Sequence, residues 1–153
     1  MRATAFHIYR RKGESMLKGI PAIISPELLK ILAEMGHGDE IVLADANFPA
    51  ASCGKRVVRA DGIGGCEMLE AILTLLPLDT YAAPVYLMQV VPGDPVETPI
   101  WDEYQKIIDP HTDKPMEQIE RFAFYERAKQ AYAVIQTGEK ALYANLILKK
   151  GVL

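Results

Sequence analysis

The hydrophobic positions from residue 25 onward alternate between helical and strand-like spacing. Over residues 28–35 the apolar side chains follow the i, i+3, i+4, i+7 pattern of one buried helix face. Ser25 is a favoured N-cap, and Gly36 is a usual helix stop. After a short polar turn, the continuous apolar run 41–44 indicates a strand that is covered on both faces. The pattern therefore predicts a helix followed by a buried strand that ends at Asp45.

The same alternation continues along the rest of the chain. The further predicted elements are a strand at 56–60, a helix that ends before Pro77, a strand at 85–91, a helix capped by Thr98, an irregular segment at 109–118, a short helix at 124–130, and strands at 131–135 and 143–148. Strands that alternate with helices predict an α/β domain, layered α/β/α, with a mostly parallel or mixed central sheet. Residues 1–15 show no clear period, so we expect a loosely ordered extension before a single domain at 16–153.

Composition and charge narrow the choice of partner. The 153 residues carry 17 Lys and Arg against 20 Asp and Glu, which gives a formal net charge of −3. A weakly acidic chain without a basic cluster argues against nucleic acid or an anionic membrane as the main partner. No apolar run approaches the roughly 18–20 residues that span a bilayer. We therefore expect a cytoplasmic protein in which Cys53 and Cys66 are free thiols.

Several common catalytic motifs are missing from the sequence. The glycines of Gly62-x-Gly64-Gly65 lack the spacing of a dinucleotide loop and the Lys-Ser/Thr of a phosphate loop. His37 and His111 are far apart in the chain, and neither H-E-x-x-H nor C-x-x-C is present. This pattern favours neither a metal site nor a nucleotide cofactor.

His37 and Asp45 are the first candidates for chemistry. His37 lies between Gly36 and Gly38 just after a helix end, where glycines permit a tight turn and the close approach of a ligand. The alternative is a surface histidine in a helix-ending turn. Asp45 ends a buried strand, where α/β sheets bind ligands, but it would equally suit a cap for the following turn. A carboxylate there could accept hydrogen bonds from two hydroxyls of a polyol.

Two later segments add polar and aromatic side chains. Arg121 and Tyr125 belong to the run 121–127, and Tyr143 and Asn145 point to one face of a predicted strand. Phenol, amide and guanidinium groups are typical of sites for neutral polyhydroxyl ligands. The alternative for the first segment is a solvated helix face with aromatic core anchors.

Six motifs are distributed along residues 16–153. They read LKGIP at 17–21, SPELLKILAEMGHGDEIVLADANFPA at 25–50, RADG at 59–62, LLPLDTY at 75–81, RFAFYERAKQAYAVIQTGE at 121–139 and YANLILKKG at 143–151. On these motifs the chain resembles the L-fucose mutarotase family, which belongs with the D-ribose pyranases. The resemblance implies a ribose-pyranase-like α/β fold and an isomerase, acting without a cofactor, that interconverts the α and β anomers of L-fucopyranose.

The resemblance also implies a role for each matching position. It implies catalytic roles for His37 and Tyr125. It implies substrate-binding roles for Asp45, Asp79, Arg121, Tyr143 and Asn145. Ala144 departs from the family pattern, in which we expect glycine, and a methyl group there would tighten the pocket or shift the backbone.

The resemblance also implies a reaction by acid–base catalysis and two kinds of partner, a sugar and further copies of the chain. A base removes the proton of the anomeric hydroxyl while an acid protonates the ring oxygen, and histidine suits such exchange because its ordinary pKa is about 6.5. The family forms ring-shaped decamers in which neighbouring subunits complete each site, so L-fucose and further copies of the chain are the implied partners. The alternatives are a D-ribose pyranase, a non-catalytic monosaccharide-binding regulatory protein, and a purely structural oligomer.

Overall fold

A six-stranded mixed sheet forms the centre of residues 17–153, the part of the chain that the computed structural model describes. The expectation for residues 1–15 lies outside the described residues. The strands are β1 (Glu40–Ala44), β2 (Val57–Ala60), β3 (Val85–Met88), β4 (Glu117–Ile119), β5 (Ala133–Thr137) and β6 (Leu146–Lys149), in the order β2-β5-β1-β6-β3-β4. The helices in this part are α1 (Pro26–Glu34), α2 (Ala50–Cys53), α3 (Gly65–Leu73), α4 (Pro99–Ile108) and α5 (Arg121–Gln130).

Strand β6 runs against the direction of the other five. β1 pairs in parallel with β5, and β5 with β2, whereas β6 pairs antiparallel with both β1 and β3. β3 in turn pairs in parallel with β4. The carboxyl ends of β1 and β3 therefore meet the amino end of β6 at one edge of the sheet. In α/β sheets such an edge is where ligands bind.

Side chains that alternate along β1 divide the core into two layers. Ile41 and Leu43 pack with the residues of α1, α3 and α4, whereas Val42 and Ala44 pack with those of α2 and α5. This alternation is what an extended strand imposes, since successive side chains point to opposite faces. Phe124, which is fully buried in the second layer, stabilises it by roughly 1.5–3 kcal/mol relative to an exposed position. The predicted layered α/β fold is confirmed.

Helix boundaries follow the capping side chains. Ser25 caps α1 as predicted, because its Oγ accepts a hydrogen bond of 3.1 Å from the backbone N of Leu28. Thr98 occupies the N-cap position of α4 but makes no capping hydrogen bond with its side chain. α5 begins at Arg121 rather than at 124, since the Glu120 carboxylate accepts from two backbone N–H groups in the first turn.

Other boundaries differ from the sequence prediction for local reasons. β3 ends at Met88 instead of 91, because the chain turns away after it and Asp94 N donates to the carbonyl of Val91. The segment 109–118 is not wholly irregular, since β4 pairs with β3. The short α2 was not predicted from the pattern, and the last two strands begin two or three residues later than expected.

Candidate active site

A cavity of about 230 Å³ opens at the edge where β1 and β3 end and β6 begins. Polar groups of Asp45, Asn47, Asp94, Arg121, Tyr125, Tyr143 and Asn145 line it together with apolar side chains of Phe48, Met88 and Leu142. Five of the seven residues singled out from the sequence therefore share one cavity. Residues 47, 48, 88, 94 and 142 were missed. Asp94 follows a strand whose carboxyl end opens at this edge, so the strand-end rule could have found it.

Asp45 both caps a turn and faces the cavity. Its Oδ1 accepts a hydrogen bond of 3.0 Å from Asn47 N, and its Oδ2 accepts one of 3.2 Å from Asn145 Nδ2. Asn145 Oδ1 in turn accepts a hydrogen bond of 2.7 Å from Asp45 N. The turn-capping alternative is therefore confirmed, and because the same carboxylate lines the cavity, its contact with a ligand stays a prediction. Burial of this carboxyl, which is 5% exposed, raises its pKa above the usual value.

Buried polar side chains of β5 hold the backbone on either side of Asp45. Gln136 Nε2 donates to the Asp45 carbonyl at 2.5 Å, and Thr137 Oγ1 donates to the Ala44 carbonyl at 2.6 Å. Ala46 N donates to the Glu139 carbonyl at 2.8 Å. The carboxylate is therefore presented by a backbone that is bonded at three successive residues.

Arg121 and Tyr125 are one helical turn apart on α5, so both side chains reach the cavity. The guanidinium of Arg121 lies 5.7 Å from the centre of the Tyr125 ring. Phe48 packs at 5.6 Å from the same ring and at 5.9 Å from that of Phe124. The guanidinium of Arg121, which is always charged, and the hydroxyl of Tyr125 therefore lie beside a cluster of aromatic rings at the cavity.

Arg127 fixes the position of α5 on the sheet. Two nitrogens of its guanidinium donate to the carboxylate of Glu40, with a shortest distance of 2.6 Å, and the guanidinium lies 3.7 Å from the centre of the Tyr86 ring. Such bidentate charge-assisted bonds define orientation as well as distance. The contact therefore holds α5 against the sheet in the orientation that places Arg121 and Tyr125 at the cavity.

Tyr143 has an unusual backbone conformation. Its φ of 54° is the one positive value among non-glycine residues of the described part of the chain, and left-handed geometry costs a residue with a side chain on the order of 1–3 kcal/mol. Trp101 Nε1 donates to the Tyr143 carbonyl at 2.8 Å, and the Tyr143 hydroxyl donates to Asp94 Oδ2 at 2.7 Å. The bond to Asp94 raises the pKa of the phenol.

His37 and Asp79 form a separate pair. His37 Nε2 lies 3.2 Å from Asp79 Oδ1, and the imidazole ring lies 5.4 Å from the ring of Tyr81. The His37 side chain is 43% exposed, whereas that of Asp79 is 3% exposed. The Asp79 carboxylate accepts hydrogen bonds from the backbone N of Tyr81 and of Ala82. The bond from Tyr81 N, followed by the contact with His37, lowers the pKa of this carboxyl below its usual value.

Within one chain the two groups of predicted residues do not meet. His37 precedes β1 and Asp45 follows it, so a strand of five residues, on the order of 15 Å long, separates them. Asp79 lies on the His37 side, since its N donates to the carbonyl of Lys149 at the far end of β6. Proton transfer requires contact at about 3 Å. The imidazole of a given chain therefore cannot serve the cavity of that same chain.

The methyl group of Ala144 points away from the cavity. Ala144 is 1% exposed and packs in the core layer of α1, α3 and α4, and its carbonyl accepts a hydrogen bond of 2.9 Å from the Tyr104 hydroxyl. It is not among the residues that line the cavity. The alanine therefore contributes to the core under Tyr143 and Asn145 without filling the pocket.

We expect the carboxyl groups of Asp45 and Asp79 to have opposite effects on stability as pH changes. The raised pKa of Asp45 means that the folded state holds its proton to a higher pH, so this group lowers stability as pH rises from about 3.8. The lowered pKa of Asp79 means that its contribution is present above about 3.8 and is lost at lower pH. Denaturant unfolding from pH 3 to 7, at fixed protein concentration, compares wild type with Asp45→Asn and Asp79→Asn. The two stability differences should change with opposite slopes, and equal slopes would contradict the prediction.

Comparison with known proteins identifies the family. The family model described as the RbsD / FucU transport protein family matches residues 18–153. The chain belongs to this family. Fucose mutarotase of Homo sapiens is 58% identical over 145 residues, which cover 90% of this chain and 94% of that protein. The solved structure of FucU from Bifidobacterium longum has a TM-score of 0.87 and 61% identity, and the match covers 89% of this chain and 99% of that one.

Two structures of RbsD/FucU proteins that hold sugars differ in their likeness to this chain. Fucose mutarotase from Streptococcus pneumoniae, solved in complex with L-fucose, has a TM-score of 0.85 and 52% identity over 90% of this chain and 99% of that one. Bacillus subtilis RbsD, complexed with D-ribose, has a TM-score of 0.67 and 26% identity over 85% of this chain and 95% of that one. The family resemblance inferred from the motifs is confirmed, and the likeness is greater to the fucose protein.

Three further findings concern this RbsD/FucU chain. No helix within residues 17–153 has the length and apolar character needed to cross a membrane. Over the same residues, no three His, Cys, Asp or Glu side chains gather closely enough to hold a metal ion. Cys53 and Cys66 are free thiols as predicted, and burial, with Glu103 nearby, raises the pKa of Cys66 to about 11.

Proposed function

We propose that this protein is an L-fucose mutarotase, an isomerase that interconverts the α and β anomers of L-fucopyranose. The observation that carries the proposal is the cavity at the end of β1, where the Asp45 carboxylate, Arg121, two tyrosines and Asn145 converge. Its volume of about 230 Å³ is below the roughly 300–1,000 Å³ of sites for drug-sized ligands, which favours one monosaccharide. The similarity to fucose mutarotases supports the choice of sugar.

The residues in the cavity would hold the sugar by its hydroxyls. Asp45 accepts hydrogen bonds, Arg121 donates them, and Asn145 keeps Asp45 in place. Asp79 belongs to the His37 group and orients the imidazole. The apolar wall formed by Phe48, Met88 and Leu142 suits the methyl group and the C–H faces of a 6-deoxy sugar.

Tyr125 and His37 would exchange protons at the anomeric centre. One group removes the proton of the anomeric hydroxyl while the other protonates the ring oxygen, which opens the ring to the aldehyde. Rotation about C1–C2 and the reverse transfers then close the ring on the other face. Atoms and charge balance without an external reagent, and positioned acid–base groups of this kind contribute roughly 10²–10⁴-fold.

A complete site requires a second copy of the chain. Because His37 and the cavity lie at opposite ends of β1, His37 of the partner subunit would enter the cavity of its neighbour. Exposed apolar side chains flank both halves: Tyr81, 79% exposed, lies beside His37, Leu142 lines the cavity, and Phe122 packs against the ring of Tyr125. We propose a homodecamer, built from the domain at 16–153 and located in the cytoplasm, in which neighbours complete each site.

The direct test is anomer exchange measured by saturation-transfer NMR. We expect the wild-type protein to accelerate α/β exchange of L-fucose over the uncatalysed rate, and to act less well on the pyranose–furanose exchange of D-ribose. Preferential action on ribose would identify a pyranase instead. Thermal stabilisation by fucose without acceleration would identify a non-catalytic sugar-binding protein. If fucose neither stabilises the protein nor has its exchange accelerated, the remaining alternative is a purely structural oligomer.

A further inference from the structure

We propose that Asp94 is a positioning residue of the sugar site: it accepts the hydrogen bond of the Tyr143 hydroxyl and, with Trp101, fixes Tyr143 so that the phenol oxygen meets the sugar as a hydrogen-bond acceptor. This inference rests on the proposed function. Asp94 lies in the loop after β3, outside the motifs that carry the family resemblance, and its side chain lines the same cavity as Asp45.

The hydroxyl of Tyr143 already donates its one hydrogen bond within the protein. A phenol has one proton to donate, and Tyr143 donates it to Asp94 Oδ2 at 2.7 Å. The hydroxyl oxygen of Tyr143 also accepts a hydrogen bond from the backbone N of Val91 at 3.3 Å. With its proton committed to a carboxylate, the Tyr143 oxygen can only accept from a ligand. A sugar group at this corner of the cavity must therefore be a donor, which a hydroxyl is and an ether or methyl group is not.

The backbone at Tyr143 is held by hydrogen bonds from α4. Its left-handed conformation is held from beneath by α4, since Trp101 Nε1 donates to the Tyr143 carbonyl and the Tyr104 hydroxyl donates to the next carbonyl. These bonds fix the main chain. Asp94 makes the shorter of the two hydrogen bonds that hold the far end of the ring, the other being the 3.3 Å bond from Val91 N, so backbone and ring are fixed by different residues.

Asp94 contributes to the site more than to the core. Its loop neighbours Val91, Pro92, Gly93 and Pro95 are exposed, and Asp94 itself is half-buried. A substitution at 94 should therefore leave folding nearly intact. This separates a positioning role from a structural one.

The test compares Asp94→Ala, Asp94→Asn and Tyr143→Phe with the double variant of the first and third. Fucose affinity is followed by the fluorescence of Trp101, the single tryptophan of the chain, and KM and kcat by NMR exchange. We expect Asp94→Ala to raise Kd and KM by roughly 10-fold or more, with kcat changed much less. Asp94→Asn keeps an oxygen acceptor and should restore most of the affinity. In the Tyr143→Phe background, Asp94→Ala should have no further effect.

Glu97→Ala is the matched control: it removes an exposed acid from the same segment and should bind fucose like wild type. An unchanged Kd for Asp94→Ala would overturn the inference, as would an equal loss in the Tyr143→Phe background, since Asp94 would then act without Tyr143. If the wild type neither binds fucose nor accelerates its exchange, the proposed function itself has failed, which is a distinct result.

Discussion

His37→Ala is expected to remove nearly all catalysed exchange between the fucose anomers, a loss of roughly 10²–10⁴-fold. The imidazole is 43% exposed on a turn, so its removal should affect folding little while it deletes one of the two proposed proton-transfer groups. Saturation-transfer NMR measures the exchange rate, and thermal unfolding checks that the variant is folded. A folded variant with an undiminished rate would exclude His37 from the mechanism.

Mixing two inactive variants tests whether the site is shared between copies. His37→Ala chains retain an intact cavity, and Tyr125→Phe chains retain an intact imidazole. If each site takes one half from each of two neighbours, random co-assembly at equal amounts should restore about one quarter of the sites. A site contained in one chain would regain nothing on mixing.

A matched mixture controls for nonspecific rescue. His37 and Asp79 belong to the same half of the site, since they contact each other in one chain. Co-assembly of His37→Ala with Asp79→Asn should therefore create no site in which both groups are present. Equal recovery in the two mixtures would contradict the proposed division of the site.

Gly138→Ala is expected to destabilise the fold severely. A Cβ atom at this position would overlap the backbone carbonyl oxygen of Asp61, and a carbonyl of the main chain cannot rotate aside as a flexible side chain can. Relief would require the turns after β2 and β5 to separate, which would break the 2.9 Å bond from Gly138 N to the Ile63 carbonyl. Overpacking of this kind costs about 3 kcal/mol or more, or a fall in Tm of roughly 6–12 °C.

Gly62→Ala is the matched control in the facing turn. A Cβ atom on Gly62 would meet no atom within 4 Å, so its melting temperature should stay near that of the wild type. The Gly138 substitution should also reduce sugar binding, because the neighbouring Glu139 carbonyl holds Ala46 beside Asp45. Equal melting temperatures for the two variants would contradict the steric account.

The features that could be predicted from the sequence are the ones with local causes. α1 was predicted because Ser25 and a periodic apolar face determine it without help from the rest of the chain. The start of α5 was misplaced because Glu120 is not among the favoured N-cap types. β4 could not be predicted, since its three residues become a strand only through pairing with β3.

In the candidate site, too, some residues could be predicted from local sequence and others could not. Asp45 and Asn145 could be placed from the neighbouring strands, since Asp45 follows the last residue of β1 and Asn145 precedes the first residue of β6, and the structure brings them into direct contact. The role of Asp94 depends on a bond to a residue 49 positions away, which no local pattern encodes. The distance between His37 and the cavity follows from the length of β1, but its significance becomes clear only when the position of every other polar group is known.

If neighbouring copies complete each site as we propose, the position of the two half-sites at opposite ends of β1 also determines how many copies can be active at once. In an open row of copies, the first and last members would always leave one cavity and one imidazole unmatched. A closed assembly has no such ends, so every chain takes part in two complete sites. Dilution that opens the assembly would therefore remove activity in whole sites, before any single chain unfolds.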